Sequence, residues 1–293
     1  MSRAERDEAE IEASRAPLMD HLIELRGRLV ICVVAFVLGF ILCFAFSEPL
    51  YIFLVKPFAA AAAFHSAVGP GGHVSPLDLI LGTAGLKALP VVDGQMVNLI
   101  YTAPLEFLFT KMKLAGFGAV VVTFPVLAWQ LYRFVAPGLY RNEKGAFLPF
   151  LLAAPLLFLL GAALVYFVML PFVMWFSLSQ QITGGGVSAA LLPKVSDYLN
   201  LVTALLLAFG LCFQLPVVMT LLGLAGIISS KVMAEGRRYA IVGVVVVAAV
   251  VTPPDPISQL MLAIPLVLLY EVSIWCVRLL ELRRRQADAT TPA

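Results

Sequence analysis

Charge is what this sequence has least of. Only 13% of its 293 residues are Asp, Glu, Lys or Arg, against about a quarter in an ordinary water-soluble domain. There are three histidines, none in the His-Glu-x-x-His spacing of a zinc hydrolase. A Gly-x-Ser-x-Gly nucleophile turn is missing, and so is a glycine loop closing in Gly-Lys-Ser/Thr to cradle phosphate. These absences argue against an enzyme, and nothing implies a cofactor or a metal. Cys32, Cys43, Cys212 and Cys276 lie in apolar stretches without ligand spacing and read as small buried hydrophobes. A net charge of +2 is too small to suggest nucleic acid as a partner.

What the chain does have is apolar surface: 61% of it is hydrophobic, in long unbroken runs rather than in alternation. Unbroken runs exclude a lipid-embedded β-barrel, whose strands alternate. In lipid every backbone group must be satisfied internally, which leaves α-helices. The expected class is therefore an all-α polytopic membrane protein with lipid as a constant partner. Its six spans fall at about 29–46, 114–131, 146–170, 198–224, 239–252 and 257–277.

Residues 2–16 are charged and read as a solvated tail. The first apolar run is long enough to remain in the membrane as an uncleaved anchor. Between Pro49 and Lys113 the apolar patches, such as Leu50–Val55 and Leu77–Leu81, are punctuated by Gly69-Pro70-Gly71-Gly72 and Ser75-Pro76. Patches this short cannot cross a core of about 30 Å, so short helices in a cap outside the membrane are expected. A second outer loop is expected from Pro171 to about Ser196. Residues 1–280 form one membrane domain, and 281–293 a basic tail.

Lysine and arginine set the orientation. Arg3, Arg6, Arg15, Arg26 and Arg28 precede span one; Arg133, Arg141 and Lys144 follow span two. Lys231, Arg237 and Arg238 follow span four; Arg278, Arg283, Arg284 and Arg285 close the chain. Only Lys56, Lys87, Lys111, Lys113 and Lys194 stand on the other side. By the positive-inside rule both termini are cytoplasmic.

Spans five and six are short. Tyr239–Thr252 reaches about 21 Å as a helix, and the apolar part of span six, Ile257–Tyr270, is no longer. Two readings stand: a tilted pair that thins the bilayer slightly, or thinning that serves passage of something across it.

The polar boundary before span one is His21-Leu-Ile-Glu24-Leu25-Arg26-Gly-Arg28-Leu29. Glu24 stands four residues before Arg28, the favourable orientation for a helical ion pair. This suits a basic anchor. A second boundary carboxylate, Glu143, lies in the turn after span two, between Arg141 and Lys144. Each carboxylate has local bases to pair with. Together, in a partly desolvated groove, they would instead grip guanidinium groups bidentately, which lysine reproduces poorly. The deepest strongly polar side chain is Gln214 in span four. Spans one to five hold no Asp, Glu, Lys or Arg in their interiors, and the halves show no repeat. An ion- or solute-coupled secondary transporter, which such features would mark, stays as the alternative.

Four stretches in order carry a resemblance. His21-Leu-Ile-Glu24-Leu25-Arg26 before span one is the first. Gln130-Leu-Tyr-Arg-Phe134-Val-Ala-Pro137-Gly-Leu-Tyr140-x-x-Glu143 is the second. Tyr198-Leu through Ala208-Phe-Gly210, then Phe213-Gln214-Leu-Pro216, is the third. Thr252-Pro-Pro254-Asp255-x-x-Ser258-Gln259 is the fourth. Over residues 17–280 the chain resembles the TatC family, the multispanning subunit of the twin-arginine protein translocase. The resemblance implies a curved wall of six helices with the last two short. It implies a receptor in the bacterial cytoplasmic (inner) membrane that binds twin-arginine signal peptides of folded cargo at its cytoplasmic face. TatA- and TatB-type single-span subunits and a homo-oligomeric receptor complex are the implied partners, and the proton-motive force the driver. By position, Glu24 and Glu143 would contact the signal arginines, with Arg26 and Phe134 beside them. Gln214 would face the membrane groove, and Asp255 and Gln259 the periplasmic hairpin. His21, Leu25, Pro137, Tyr140, Pro216 and Pro254 would shape these elements. Position 214 is often Glu in the family; Gln keeps a hydrogen-bonding role there but cannot titrate. The outer cap is also long for the family.

Overall fold

The longest apolar runs wind into the longest helices. The computed structural model describes residues 3–68, 74–90, 99–135, 144–184, 187–189, 193–224, 226–251 and 256–290. Helix α1 covers Arg3–Ala45, α2 Ser47–Val68, α3 Pro76–Thr83 and α4 Glu106–Val135. Helix α5, Lys144–Leu164, continues through a π-helical turn, Val165–Met169, into α6, Leu170–Ser179. A small antiparallel ribbon follows, β1 Ile182–Gly184 with β2 Val187–Ala189, in which Ile182 pairs with Ala189. Then come α7 Val195–Cys212, α8 Leu215–Leu224, α9 Ser230–Glu235, α10 Arg237–Val251 and α11 Pro256–Thr290.

The helices pack in a row. Helix α1 lies along α4, α4 meets α5 and α7, α8 packs on α11, and α11 on α10. Helices α1 and α10 thus stand at opposite ends of a wall. Most of their apolar side chains face outward: Leu38 is 63% exposed, Val250 81%. Apolar faces of this extent are stable only against lipid, and the chain is a multi-pass membrane protein. The one buried stripe of α1, at Gly39 and Cys43, meets α4, where a Cβ on Gly39 would come within 2.7 Å of Thr123.

Among the described residues six stretches are long and apolar enough to cross a membrane: Ile23–Ala45, Ser47–Val68, Glu106–Arg133, Leu152–Ser179, Val195–Leu224 and Gln259–Leu282. Several details depart from expectation. The N-terminal tail is helical from Arg3 onward, its Ala, Glu and Arg residues being strong helix formers. Only short patches are expected after Pro49, yet α2 is continuous for 22 residues. The run Ala59–Ala63 favours helix, and a tertiary contact tolerates Pro57. Proline lacks the N–H that would bond the Phe53 carbonyl; the Tyr166 hydroxyl donates to that carbonyl instead, at 2.7 Å. Tyr198 Oη likewise donates to Leu54 O at 2.7 Å. Helix α2 therefore packs across α6 and the start of α7.

The outer loop expected from Pro171 begins later, because the helix continues to Ser179. The π turn makes this possible: the Leu170 N–H reaches back to Val165 O, a register shift that carries the chain past the proline. Helix α10 is short, at 15 residues, or about 22 Å at 1.5 Å per residue. Helix α11 is 35 residues long and its stretch Gln259–Leu282 is long and apolar enough to cross, so span six is not short as expected; the apolar residues resume beyond Glu271.

The start of α4 is fixed to the start of α7. Glu106 Oε2 accepts from Thr102 N at 2.8 Å and Ala103 N at 3.2 Å, and lies 3.6 Å from Lys194 Nζ. Beside it, Val195 N donates to Ile100 O at 3.1 Å. At the other end of the wall, Ser230 N and Oγ donate to Glu281 at 2.8 and 2.5 Å. Arg237 grips Glu271 bidentately at 2.7 and 2.9 Å. The α9 turn is thereby held against α11.

Candidate functional site

Glu24 projects from α1 just before its apolar part begins. The helical spacing brings the Arg28 guanidinium onto Glu24 Oε1, as expected. The same guanidinium also donates from Nη1 to Gln130 O on α4, at 3.3 Å. That second bond ties the boundary of α1 to the last two turns of α4, which Glu143 follows in sequence. Arg28 is mostly covered, with 16% of its side chain exposed, whereas Glu24 keeps 40%. Only one oxygen of Glu24 is engaged among the described residues. Compared with Glu271, which Arg237 holds through both oxygens, the Glu24 carboxylate is half committed. Arg26 and Leu25 are exposed beside it.

Gln214 occupies the break between α7 and α8. Pro216 has no N–H for the Cys212 carbonyl, and the chain tightens there, with Gln214 N donating to Leu211 O at 2.9 Å. The side chain is buried, and its Nε2 donates to Ala154 O on α5 at 2.9 Å. Its Oε1 is buried without a hydrogen bond among the described residues. A hydrogen bond between membrane helices contributes roughly 0.6 kcal/mol, and an unpaired buried acceptor opposes it. Gln214→Leu is accordingly expected to change stability by less than about 1 kcal/mol, read as the thermal midpoint of the purified protein. A drop of 10 °C or more would show instead that the amide holds the α7–α8 break together.

The model of the family described as Sec-independent protein translocase protein (TatC) matches residues 20–265. A TatC protein of Magnetococcus marinus is 39% identical over 279 residues, 95% of this chain and 90% of the relative. One from Aquifex aeolicus is 34% identical over 270 residues, 92% and 98% of the two. The chain belongs to the TatC family. Two crystal structures described as the twin-arginine translocase receptor TatC share its fold, with TM-scores of 0.66 and 0.67. Both are 34% identical to it, covering 88% and 87% of this chain and 98% of each structure.

As a TatC protein the chain is a core subunit of the Sec-independent translocase, with the fold of its twin-arginine receptor. The transporter alternative is not favoured. Of the residues implied by family resemblance, Glu24, Leu25, Arg26, Gln214, Pro216 and Gln259 are described. Gln259 Nε2 donates to Val245 O at 3.4 Å, joining α11 to α10. Pro137, Tyr140, Glu143, Pro254 and Asp255, and the side chains of His21 and Phe134, lie outside the described residues. Arg28 is the site residue that sequence reasoning took only for an ion-pair partner. Its second role, toward Gln130, spans 102 residues and leaves no local signature.

Proposed function

We propose that this TatC protein recognises twin-arginine signal peptides through Glu24 and Glu143, with Arg26 and Phe134 flanking the bound arginines. The observation that carries this reading is Glu24 itself. It is exposed, held in place by an arginine anchored to α4, and bonded through one oxygen only among the described residues. A carboxylate already accepting one guanidinium is prepared for another on its free oxygen. Glu143, one residue before the start of α5, supplies the second acceptor. Two carboxylates accept two planar guanidinium forks, which is why arginine suits them and lysine does not.

In this reading both termini lie in the cytoplasm, and α1, α4, α5–α6, α7–α8, α10 and α11 cross the bacterial inner membrane. Helix α2 belongs to the periplasmic cap despite its length, since it packs on α3, on α6 and on the first turns of α4 and α7. TatA- and TatB-type single-span subunits and further copies of this chain complete the assembly. Folded cargo then crosses at the expense of the proton-motive force.

A photo-crosslinker at position 24, with membranes containing the intact protein, tests the recognition step. A twin-arginine signal peptide should crosslink, and its twin-lysine counterpart should do so at least about tenfold less, the loss of roughly one charge-assisted bond. Equal yields from the two peptides would refute the guanidinium clamp.

A further inference from the structure

Two cavities lie on one face of α4, at the end of the wall away from the arginine-rich turns. The first, about 320 Å³, is lined by Glu48 and Tyr51 of α2 and by Phe107, Thr110, Lys111 and Leu114 of α4. The second, about 300 Å³, continues along the same helix past Phe117, Gly118 and Val121 and is otherwise walled by side chains of α2, α5 and the π turn, with Cys43 of α1 and Leu206 of α7. Residues 107, 111, 114, 118 and 121 recur at helical spacing, so the two cavities share a single stripe. From Lys111 to Gly118 is about 10 Å along the axis.

The upper cavity holds one cation and one anion, and neither meets an opposite charge within 4 Å among the described residues. Lys111 Nζ instead sits 4.5 Å over the Phe107 ring. Glu48 is in the first turn of α2, three residues beyond the end of α1 at Ala45, and Lys111 is in the second turn of α4. Both charges therefore stand near the ends of their helices, where the orientation proposed above puts lipid headgroups. The lower cavity offers only apolar walls. Apolar walls with no hydrogen-bonding partner to offer suit a hydrocarbon chain.

We propose that this pair of cavities is a binding site for a phospholipid with an amine headgroup. Lys111 takes the phosphate, Glu48 takes the ammonium, and an acyl chain lies along Leu114, Gly118 and Val121. An anionic lipid without an amine would satisfy Lys111 and set its phosphate near an unpaired Glu48 carboxylate, so the site discriminates between the two. The site is independent of signal-peptide recognition, being formed by α2 and the outer half of α4.

Native mass spectrometry of the full chain, released from detergent after incubation with defined lipids, tests this. Phosphatidylethanolamine should be retained about tenfold better than phosphatidylglycerol, one charge-assisted bond's difference. Glu48→Gln should erase that preference. Lys111→Gln should weaken both lipids about tenfold. Ala163→Phe, which fills the lower cavity, should weaken both while keeping the preference; Val122→Phe, on an exposed wall of the same cavity, replaces it if that variant melts early. Free phosphoethanolamine should not compete, because the acyl chain contributes to binding. Equal retention of both lipids by the unaltered chain would overturn the proposal, as would unchanged retention in Lys111→Gln or displacement by the free headgroup.

Discussion

Replacing Glu143 by alanine is expected to abolish export of a folded twin-arginine reporter while leaving the protein in the membrane at its normal abundance. Glu143 precedes α5 by one residue in sequence, and the proposed clamp needs it open to the peptide; a substitution at an open position usually changes stability by no more than about 0.5 kcal/mol. Its effect on binding is of another order. One hydrogen bond to a charged group contributes about 1.5–3 kcal/mol, which is about tenfold to more than a hundredfold in affinity. The two carboxylates act on one peptide, so losing one also forfeits the advantage of simultaneous engagement. Glu143→Gln separates charge from shape: it keeps an acceptor and removes the ion, and should fall between the parent and the alanine variant. Reporter export in cells lacking their own TatC, with membrane abundance measured in parallel, decides the matter. Normal export by Glu143→Ala would end the clamp model, and so would a defect explained wholly by missing protein.

Parts of this site were legible in the sequence because their physics is local. The Glu24–Arg28 pair follows from spacing on one helix, whereas the break at Gln214, two residues before Pro216, divides a span expected to run unbroken from 198 to 224. The apolar runs gave the wall because lipid permits few alternatives. What escaped notice depends on partners distant in the chain. Pro57 argues against a long α2 until Tyr166, more than a hundred residues later, supplies the hydrogen bond that proline forgoes. Pro171 looks like the end of span three until the π turn before it is seen. Arg28 is an anchor charge in sequence and a brace between α1 and α4 in the fold. Hydropathy also ranks α2 among the spans and leaves out α10, because it weighs composition and length without regard to neighbours.

The second large effect is expected at the crossing of α5 and α7, where Gly161→Val should prevent the protein from accumulating in a folded form. A Cβ on Gly161 would lie 2.8 Å from the Phe209 carbonyl oxygen and 2.8 Å from the Phe213 ring. From the other side, a Cβ on Gly210 would meet the Phe158 ring at 2.5 Å. A side chain can swing away, but a helix carbonyl cannot, so valine must push the two backbones apart. Small residues permit this kind of close approach between membrane helices. Overpacking a well-filled core costs about 1–3 kcal/mol, occasionally more, and here it also uncovers Phe158 and Phe209, each 1% exposed. The damage would reach Gln214, which is one turn beyond Gly210 and whose bond to Ala154 crosses the same pair of helices. Gly116→Ala on α4 is the control, since no atom lies within 4 Å of its added methyl, and alanine favours a helix over glycine by about 1 kcal/mol. Size-exclusion profiles and thermal midpoints of both variants test the contrast. If Gly161→Val melts with the parent protein, α5 and α7 do not approach this closely, and the buried Gln214 amide must be held by other contacts.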